Sequence, residues 1–432
     1  MKVAFYTLGC KVNQYESQVL RQQFENNGFE VVNSSEPSDV YIINSCTVTS
    51  TGDKKTRQLI HRARATNKNS IIVLTGCFPQ AFPNKACEVT DADIITGTKD
   101  RYKIYDLVLE KLKSKNVGSP KIFINPNYQD KTFENMSLHK FEGKTRAFIK
   151  IQDGCNRFCS YCIIPMARGR IRSKKLEDIK FEVEQLTLNG HKEIVLTGIN
   201  LSSYGQDINL RLIDAIKTVA EVNDVKRIRL SSLEPELLTL DDIKQLANIN
   251  KFCPQFHLCL QSGCNQTLKR MNRHYTTNEY FSLIEIIRNN IYNPSITTDL
   301  IVGFPGETDE EFNETVEFVK KVNFSRIHVF SYSKRSGTKA ALMPNQLANS
   351  IKQYRNSQIS TIAKESQLNF LKSQIGLKEE VLFETSVGNN LYQGYSKNYT
   401  HVIVHCNQNL CGQIKKVVIT GINNDSCVGN LL

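Results

Sequence analysis

The chain has 432 residues, 40% hydrophobic and 23% charged, which is ordinary globular composition with room for about three domains. Lys and Arg total 55 against 43 Asp and Glu, a formal net charge of +12 that favours a polyanionic partner. Collagen-like, disordered and secreted disulfide classes are excluded, and nothing approaches the roughly 18 continuous apolar residues of a membrane span. The first apolar run, residues 3–8, is too short for a signal peptide, so the chain is expected to be cytoplasmic, away from membranes, with its 13 cysteines reduced.

In chain order, residues 1–115 alternate short β-rich runs with helical stretches, which predicts parallel β-α-β units. Strands are expected at 3–8, 40–44, 71–75 and 94–96, with helices over 13–27 and 49–66. Polar sequence over 116–140 reads as a linker. The alternation restarts over 141–375, with strands predicted at 147–152, 193–197, 227–231, 257–261, 297–302 and 327–331. Six such units suit an open or partial parallel barrel, where function gathers at the carboxyl ends of the strands. A long polar helix follows Pro344 and runs to about residue 374; residues 376–432 then take strand periodicity and fit a small all-β barrel.

Cys155, Cys159 and Cys162 lie just past the first barrel strand. At i, i+4 and i+7 they could form one stripe of a helix, but Gly154 and Pro165 bracket the segment and leave little room for one. Three thiolates in a loop can wrap a metal centre. Structural zinc would want a fourth protein ligand, and none follows at finger-like spacing. A four-iron cluster on three cysteines keeps one iron open to an outside ligand. This Cys-x3-Cys-x2-Cys motif after the first strand of a six-unit barrel resembles the radical S-adenosylmethionine superfamily. The resemblance implies a 4Fe-4S cluster whose fourth iron is chelated by the methionyl amine and carboxylate, and which yields a 5′-deoxyadenosyl radical. Tyr161 stands where that superfamily carries an aromatic residue near the adenine.

Cys10, Cys46 and Cys77 each follow a predicted parallel strand, 36 and 31 residues apart. A lone cysteine is usually a small packing residue, whereas three at equivalent strand ends converge on one crevice. That pattern suggests a second three-cysteine cluster, again with an open iron. Together with Gln-Asp-Gly-Cys-Asn-Arg-Phe-Cys at 152–159, His-Leu-Cys-Leu-Gln-Ser-Gly at 257–263 and Asp-Leu-Ile-Val-Gly-Phe-Pro-Gly-Glu-Thr at 299–308, it resembles the methylthiotransferase family over nearly the whole chain. The resemblance implies a flavodoxin-like domain carrying an auxiliary cluster, a partial (β/α)6 radical barrel and a C-terminal TRAM-like barrel for RNA. Leu-Gly-Cys-Lys-Val-Asn-Gln-Tyr-Glu-Ser at 8–17 looks most like the branch that modifies N6-threonylcarbamoyladenosine in tRNA. Ser45, Phe78 with Pro79, and Cys259 depart from the usual pattern without removing a proposed ligand.

By this resemblance, the cluster on Cys155, Cys159 and Cys162 makes the radical that takes hydrogen from C2 of the adenine. The cluster on Cys10, Cys46 and Cys77 holds a sulfur, is methylated by another S-adenosylmethionine, and donates methylsulfide. Gly198, Asn200, Ser231, Glu234, Gln261 and Gly303, at successive strand ends, are assigned as cofactor contacts; for each, capping or turn formation is the alternative. A tRNA substrate, a reductant of flavodoxin or ferredoxin type, a sulfur donor and a monomeric state complete the expectation. The alternatives are methylthiolation of isopentenyl-adenosine or of a ribosomal-protein aspartate and, from another class, a non-radical iron-sulfur electron carrier or RNA-binding protein. The eight histidines fall in no ligand spacing, and the other seven cysteines are assigned to packing.

Residues 140–175 carry ten basic and two acidic side chains, so most of the excess charge surrounds the first cysteine loop. Arg157, Arg168, Arg170 and Arg172 are expected to hold an RNA backbone there. A second basic cluster includes Lys54, Lys55, Arg57 and Arg62. The C-terminal barrel is balanced, at four and four, and is expected to rely on Tyr392, Tyr395 and Tyr399.

Overall fold

The computed structural model describes residues 1–114, 120–125 and 132–432, so 116–119 and 126–131 of the expected linker lie outside the described residues. The first domain contains β1 (Lys2–Thr7), α1 (Lys11–Asn26), β2 (Glu30–Val32), β3 (Val40–Ser45), α2 (Ser50–Thr66), β4 (Ile71–Gly76), β5 (Ile94–Thr96), α3 (Ile104–Ser114) and β6 (Lys121–Phe123). Its sheet is parallel in the order β2-β1-β3-β4-β5-β6, the flavodoxin-like order extended by one edge strand. β3 and β4 are buried along their whole length because both faces are covered, which is why they read as near-continuous apolar runs. Strand β6 falls inside the expected linker and pairs with β5, so the sheet continues past residue 115.

The second domain carries six parallel strands: β7 (Arg146–Lys150), β8 (Glu193–Thr197), β9 (Arg227–Leu230), β10 (Gln255–Leu258), β11 (Ser295–Val302) and β12 (Arg326–Ser331). They form two ladders, β9-β8-β7 and β10-β11-β12, and the short run Ser232–Leu233 after β9 pairs with β10 to join the series into an open barrel. In β11 burial alternates: Ile296, Thr298, Leu300 and Val302 are buried in the helix-covered core, while Thr297, Asp299 and Ile301 are only partly buried. Between β7 and β8 lie the three-cysteine loop and a short helix, α4 (Ile164–Arg168). The polar helix expected after Pro344 is α5 (Asn349–Ser373).

The last domain is a closed barrel of β13 (Lys378–Ser386), β14 (Leu391–Ser396), β15 (His401–His405), β16 (Ile414–Asn423) and β17 (Ser426–Leu431). It docks on residues at the amino ends of β7 to β9, the end remote from the cysteines. Tyr395 and Tyr399 stack on each other at 4.5 Å, and the Arg146 guanidinium sits 4.9 Å and 5.0 Å from their rings. Arg229 lies 4.6 Å over Tyr399, and Arg227 donates to the carbonyls of Tyr395 and Glu380. These two tyrosines therefore plug the base of the barrel and are not free stacking platforms for RNA.

Candidate active site between two cysteine triads

The triad of Cys10, Cys46 and Cys77 is built by turns that only glycine fits. Gly9 has φ +99°, and a Cβ there would lie 2.8 Å from Cys46 Cβ and 2.9 Å from its Sγ. Gly76 has φ +100° and would place a Cβ 2.6 Å from both Asn44 Oδ1 and the Ser45 carbonyl. Each glycine ends a strand path and delivers the next residue, Cys10 or Cys77, to the sheet's carboxyl edge. Asn13, on the first turn of α1, donates to the carbonyls of Leu8 (2.8 Å) and Ser45 (3.0 Å), which ties the Cys10 and Cys46 loops together. Cys77 is buried, Cys46 partly so, and Cys10 exposed. Burial pushes the Cys77 thiol up to about 11; the Arg168 charge opposes this, and Cys46 and Cys10 add to it.

The second triad follows β7 in a loop, not a helix. Gly154, φ +72°, could not carry a Cβ without meeting the Arg170 carbonyl oxygen at 1.8 Å. Cys155 Sγ accepts from the Arg157 amide (3.4 Å) and Asn200 Nδ2 (3.7 Å), and Cys159 Sγ accepts from Arg273 Nη1 (3.3 Å). Burial raises the Cys155 and Cys162 thiols, and the neighbouring Cys159 adds to both. Hydrogen bonds and positive charge favour the thiolate, the form that binds iron.

Both triads suit a polynuclear centre better than a single ion. A tetrahedral ion with metal–sulfur bonds of about 2.3 Å brings its sulfurs to about 3.8 Å. Among the described residues, the group whose three donor atoms all lie within 4.8 Å of one another is His257, Asp299 and His328, so neither triad draws its three sulfurs together as one tetrahedral ion would. All 13 cysteines are free.

A cavity of about 230 Å³ is lined by Val48 and Thr49, two and three residues after Cys46, together with Tyr161, Cys162 and Ile163 of the second cysteine loop. Gln261, Asp299 and Phe330, from successive strands of the second domain, are among its other walls. Asn200 Oδ1 and Ser231 Oγ are buried without a protein partner, which suits polar groups awaiting a ligand. Gly198 is held by packing, since a Cβ there would fall 2.8 Å from Gln152 Oε1. Glu234 is already paired with Arg273. Gly303 lies against Lys352 of α5, and its amide donates to Glu307.

The arginines divide differently from the sequence expectation. Arg168 is fully buried, bonded to Glu16 (2.6 Å and 3.0 Å), Asn13 (2.6 Å) and Cys77 Sγ (3.4 Å). Arg172 is buried against Asp153 (3.6 Å), and Arg157 pairs with Glu236 (2.9 Å). Neither Arg168 nor Arg172 presents a cation to RNA. Arg170 alone of the four is exposed, its guanidinium 4.5 Å from the Phe158 ring.

Sequence reading missed Arg273, Phe330 and the set in which His257 Nε2 meets Asp299 Oδ2 at 3.3 Å with the His328 ring beside it. These residues come from three strands, and no local spacing links them. It also missed Arg335, whose Nη2 bridges to Thr47 (2.6 Å) and Asp53 (2.7 Å) and joins the first domain to the second near the cavity.

Comparison with known proteins matches residues 149–319 to the radical SAM superfamily and residues 2–97 to the uncharacterized protein family UPF0004. The threonylcarbamoyladenosine tRNA methylthiotransferase MtaB of Bacillus subtilis is 39% identical over 96% of this chain and 93% of its own length. The chain belongs to the radical S-adenosylmethionine methylthiotransferase family. Its relatives include MtaB of Thermotoga maritima, 37% identical over 99% and 96% of the two chains. They also include the tRNA-2-methylthio-N(6)-dimethylallyladenosine synthase of Pelotomaculum thermopropionicum, 33% identical over 97% and 95%. The methyltransferase TsrM from Kitasatospora setae shares the fold, with TM-score 0.59 at 14% identity over 79% of this chain and 77% of that one. This methylthiotransferase is thus an enzyme that uses S-adenosylmethionine and two 4Fe-4S clusters.

Proposed function

We propose that this enzyme adds a methylthio group to C2 of N6-threonylcarbamoyladenosine next to the anticodon, at position 37 of tRNA. The observation that carries the reading is the cavity itself, whose lining draws on the segment just after Cys46 and on the Cys162 loop. Relatives bearing the MtaB name at 37% to 39% identity support the threonylcarbamoyl branch over the dimethylallyl one.

In this reading Cys155, Cys159 and Cys162 hold one cluster and Cys10, Cys46 and Cys77 the other. When bound, these groups supply the 5′-deoxyadenosyl radical and the sulfur to be transferred. The chain's residues do the rest. Asn200 Oδ1 and Ser231 Oγ bind polar groups of S-adenosylmethionine, and Gln261, at φ +64° with its backbone N–H donating to the Asp299 carbonyl, lines the cavity. Tyr161 and Phe330 offer aromatic faces against which adenine rings stack, and with Val48 and Ile163 they give the cavity an apolar wall that limits solvent access. A reductant of flavodoxin or ferredoxin type, a sulfur donor and the cytoplasm, where thiols stay reduced, complete the proposal. No described helix is long and apolar enough to cross a membrane.

The test is nucleoside mass spectrometry of tRNA from a strain lacking the gene. The 2-methylthio derivative of threonylcarbamoyladenosine should vanish while its precursor accumulates. Persistence of that derivative with loss of the isopentenyl one would assign the other branch.

A further inference from the structure

Arg168 belongs to the second domain yet touches Cys77, a proposed auxiliary ligand on the first. It ends α4, the short helix that follows the Cys155 loop, and is fully buried. Its Nε donates to Cys77 Sγ at 3.4 Å, its Nη2 to Asn13 Oδ1 at 2.6 Å, and its two terminal nitrogens grip both oxygens of Glu16. Asn13 in turn ties the Cys10 and Cys46 loops, so one guanidinium reaches all three auxiliary strand ends directly or through one side chain. On its other side Nη1 lies 3.4 Å from Asp153, two residues before Cys155. Glu16 also receives Lys150 (2.9 Å) and Arg101 (3.0 Å), which holds the carboxylate and hence the guanidinium in place.

A hydrogen bond and a positive charge at a cluster's thiolate stabilise the reduced, more negative state and raise its potential. We infer that Arg168 is a positioning residue that sets the reduction potential of the auxiliary cluster through its bond to Cys77 and fixes that cluster relative to the radical site. The inference rests on the assignment of Cys10, Cys46 and Cys77 as the auxiliary ligands.

The test is a potentiometric titration of the anaerobically reconstituted full chain, followed by electron paramagnetic resonance. A parallel titration of the full chain carrying Cys155→Ala, Cys159→Ala and Cys162→Ala identifies the auxiliary signal. In Arg168→Gln the auxiliary cluster should become harder to reduce, by roughly tenfold in the reduced-to-oxidised ratio at fixed potential, which is 59 mV for one electron. In Glu16→Gln, where Arg168 keeps its charge but loses its anionic partner, the shift should have the opposite sign. A misfolded site cannot produce shifts of opposite sign, so the pair separates tuning from damage. Unmoved potentials in both variants, or shifts of one sign, would overturn the inference. The ligand assignment fails separately: wild-type chain that loads about four irons instead of about eight would show that the second triad holds no cluster.

Discussion

Glu16 and Arg168 are fully buried where the two α/β domains meet, and their pairing makes a statement about acid stability. Burial pushes the Glu16 carboxyl up, but Arg101, Arg168 and Lys150 outweigh it and hold the group at about 2. An unfolded glutamate titrates near about 4.3. The folded value is the lower one, so this stabilisation is complete above pH 4.3 and is lost as pH falls toward 2; a shift of this size corresponds to about 3 kcal/mol. The melting temperature of the cluster-free chain should therefore fall steeply over that window. Glu16→Gln should be less stable near neutrality by about 3–5 kcal/mol, because three cations lose their anion, and should show a shallower acid limb. An acid limb as steep as wild type would refute the assignment to Glu16. None of this network was legible in the sequence. Composition says which residues are basic and not which are desolvated, and Arg168 finds Glu16 across 152 positions of chain.

At the scale of elements the reading succeeded where local chemistry and topology agree. Strands followed by cysteines at a parallel sheet's carboxyl edge converge whatever their spacing, and residues 193–197 and 94–96 are strands with the expected bounds. It failed at short or polar strands. β2 and β6 have three residues each, and β14 is a mixed Leu-Tyr-Gln-Gly-Tyr-Ser run whose Gly394 is needed because a Cβ would meet the Leu382 carbonyl oxygen at 2.1 Å. The glycines at the strand ends give a sharper test of element geometry. Gly76→Ala forces φ +100° on a residue with no room for its Cβ and should cost the auxiliary cluster, lowering iron from about eight to about four per chain. Cleavage of S-adenosylmethionine to 5′-deoxyadenosine should survive while methylthio transfer stops. Gly154→Ala should reverse the pattern, losing cleavage and keeping the auxiliary iron. Equal loss of both clusters in either variant would mean that the two loops do not fold independently.

Across the whole molecule, the net charge of +12 is divided between an inner and an outer population. Arg101, Lys150, Arg168, Arg172 and Lys174 are buried in ion pairs, as are Arg227 and Arg229 above the C-terminal barrel. Exposed cations include Arg170 beside the Cys155 loop, Lys54, Lys55, Arg57 and Arg62 along α2, and Lys415 and Lys416 on β16. A polyanion can meet only the outer set. With Tyr395 and Tyr399 turned inward, the proposal that the C-terminal barrel meets RNA rests on such lysines. Each phosphate contact contributes close to one unit to the slope of log affinity against log salt. Lys54→Ala with Lys55→Ala, Arg170→Ala, and Lys415→Ala with Lys416→Ala should each weaken tRNA binding and flatten that slope by about one to two units in a filter-binding or anisotropy titration. Arg168→Gln should leave the slope unchanged. A flattened slope in Arg168→Gln would make that arginine a phosphate contact, and an unaltered slope in all three surface variants would assign the RNA to other exposed cations.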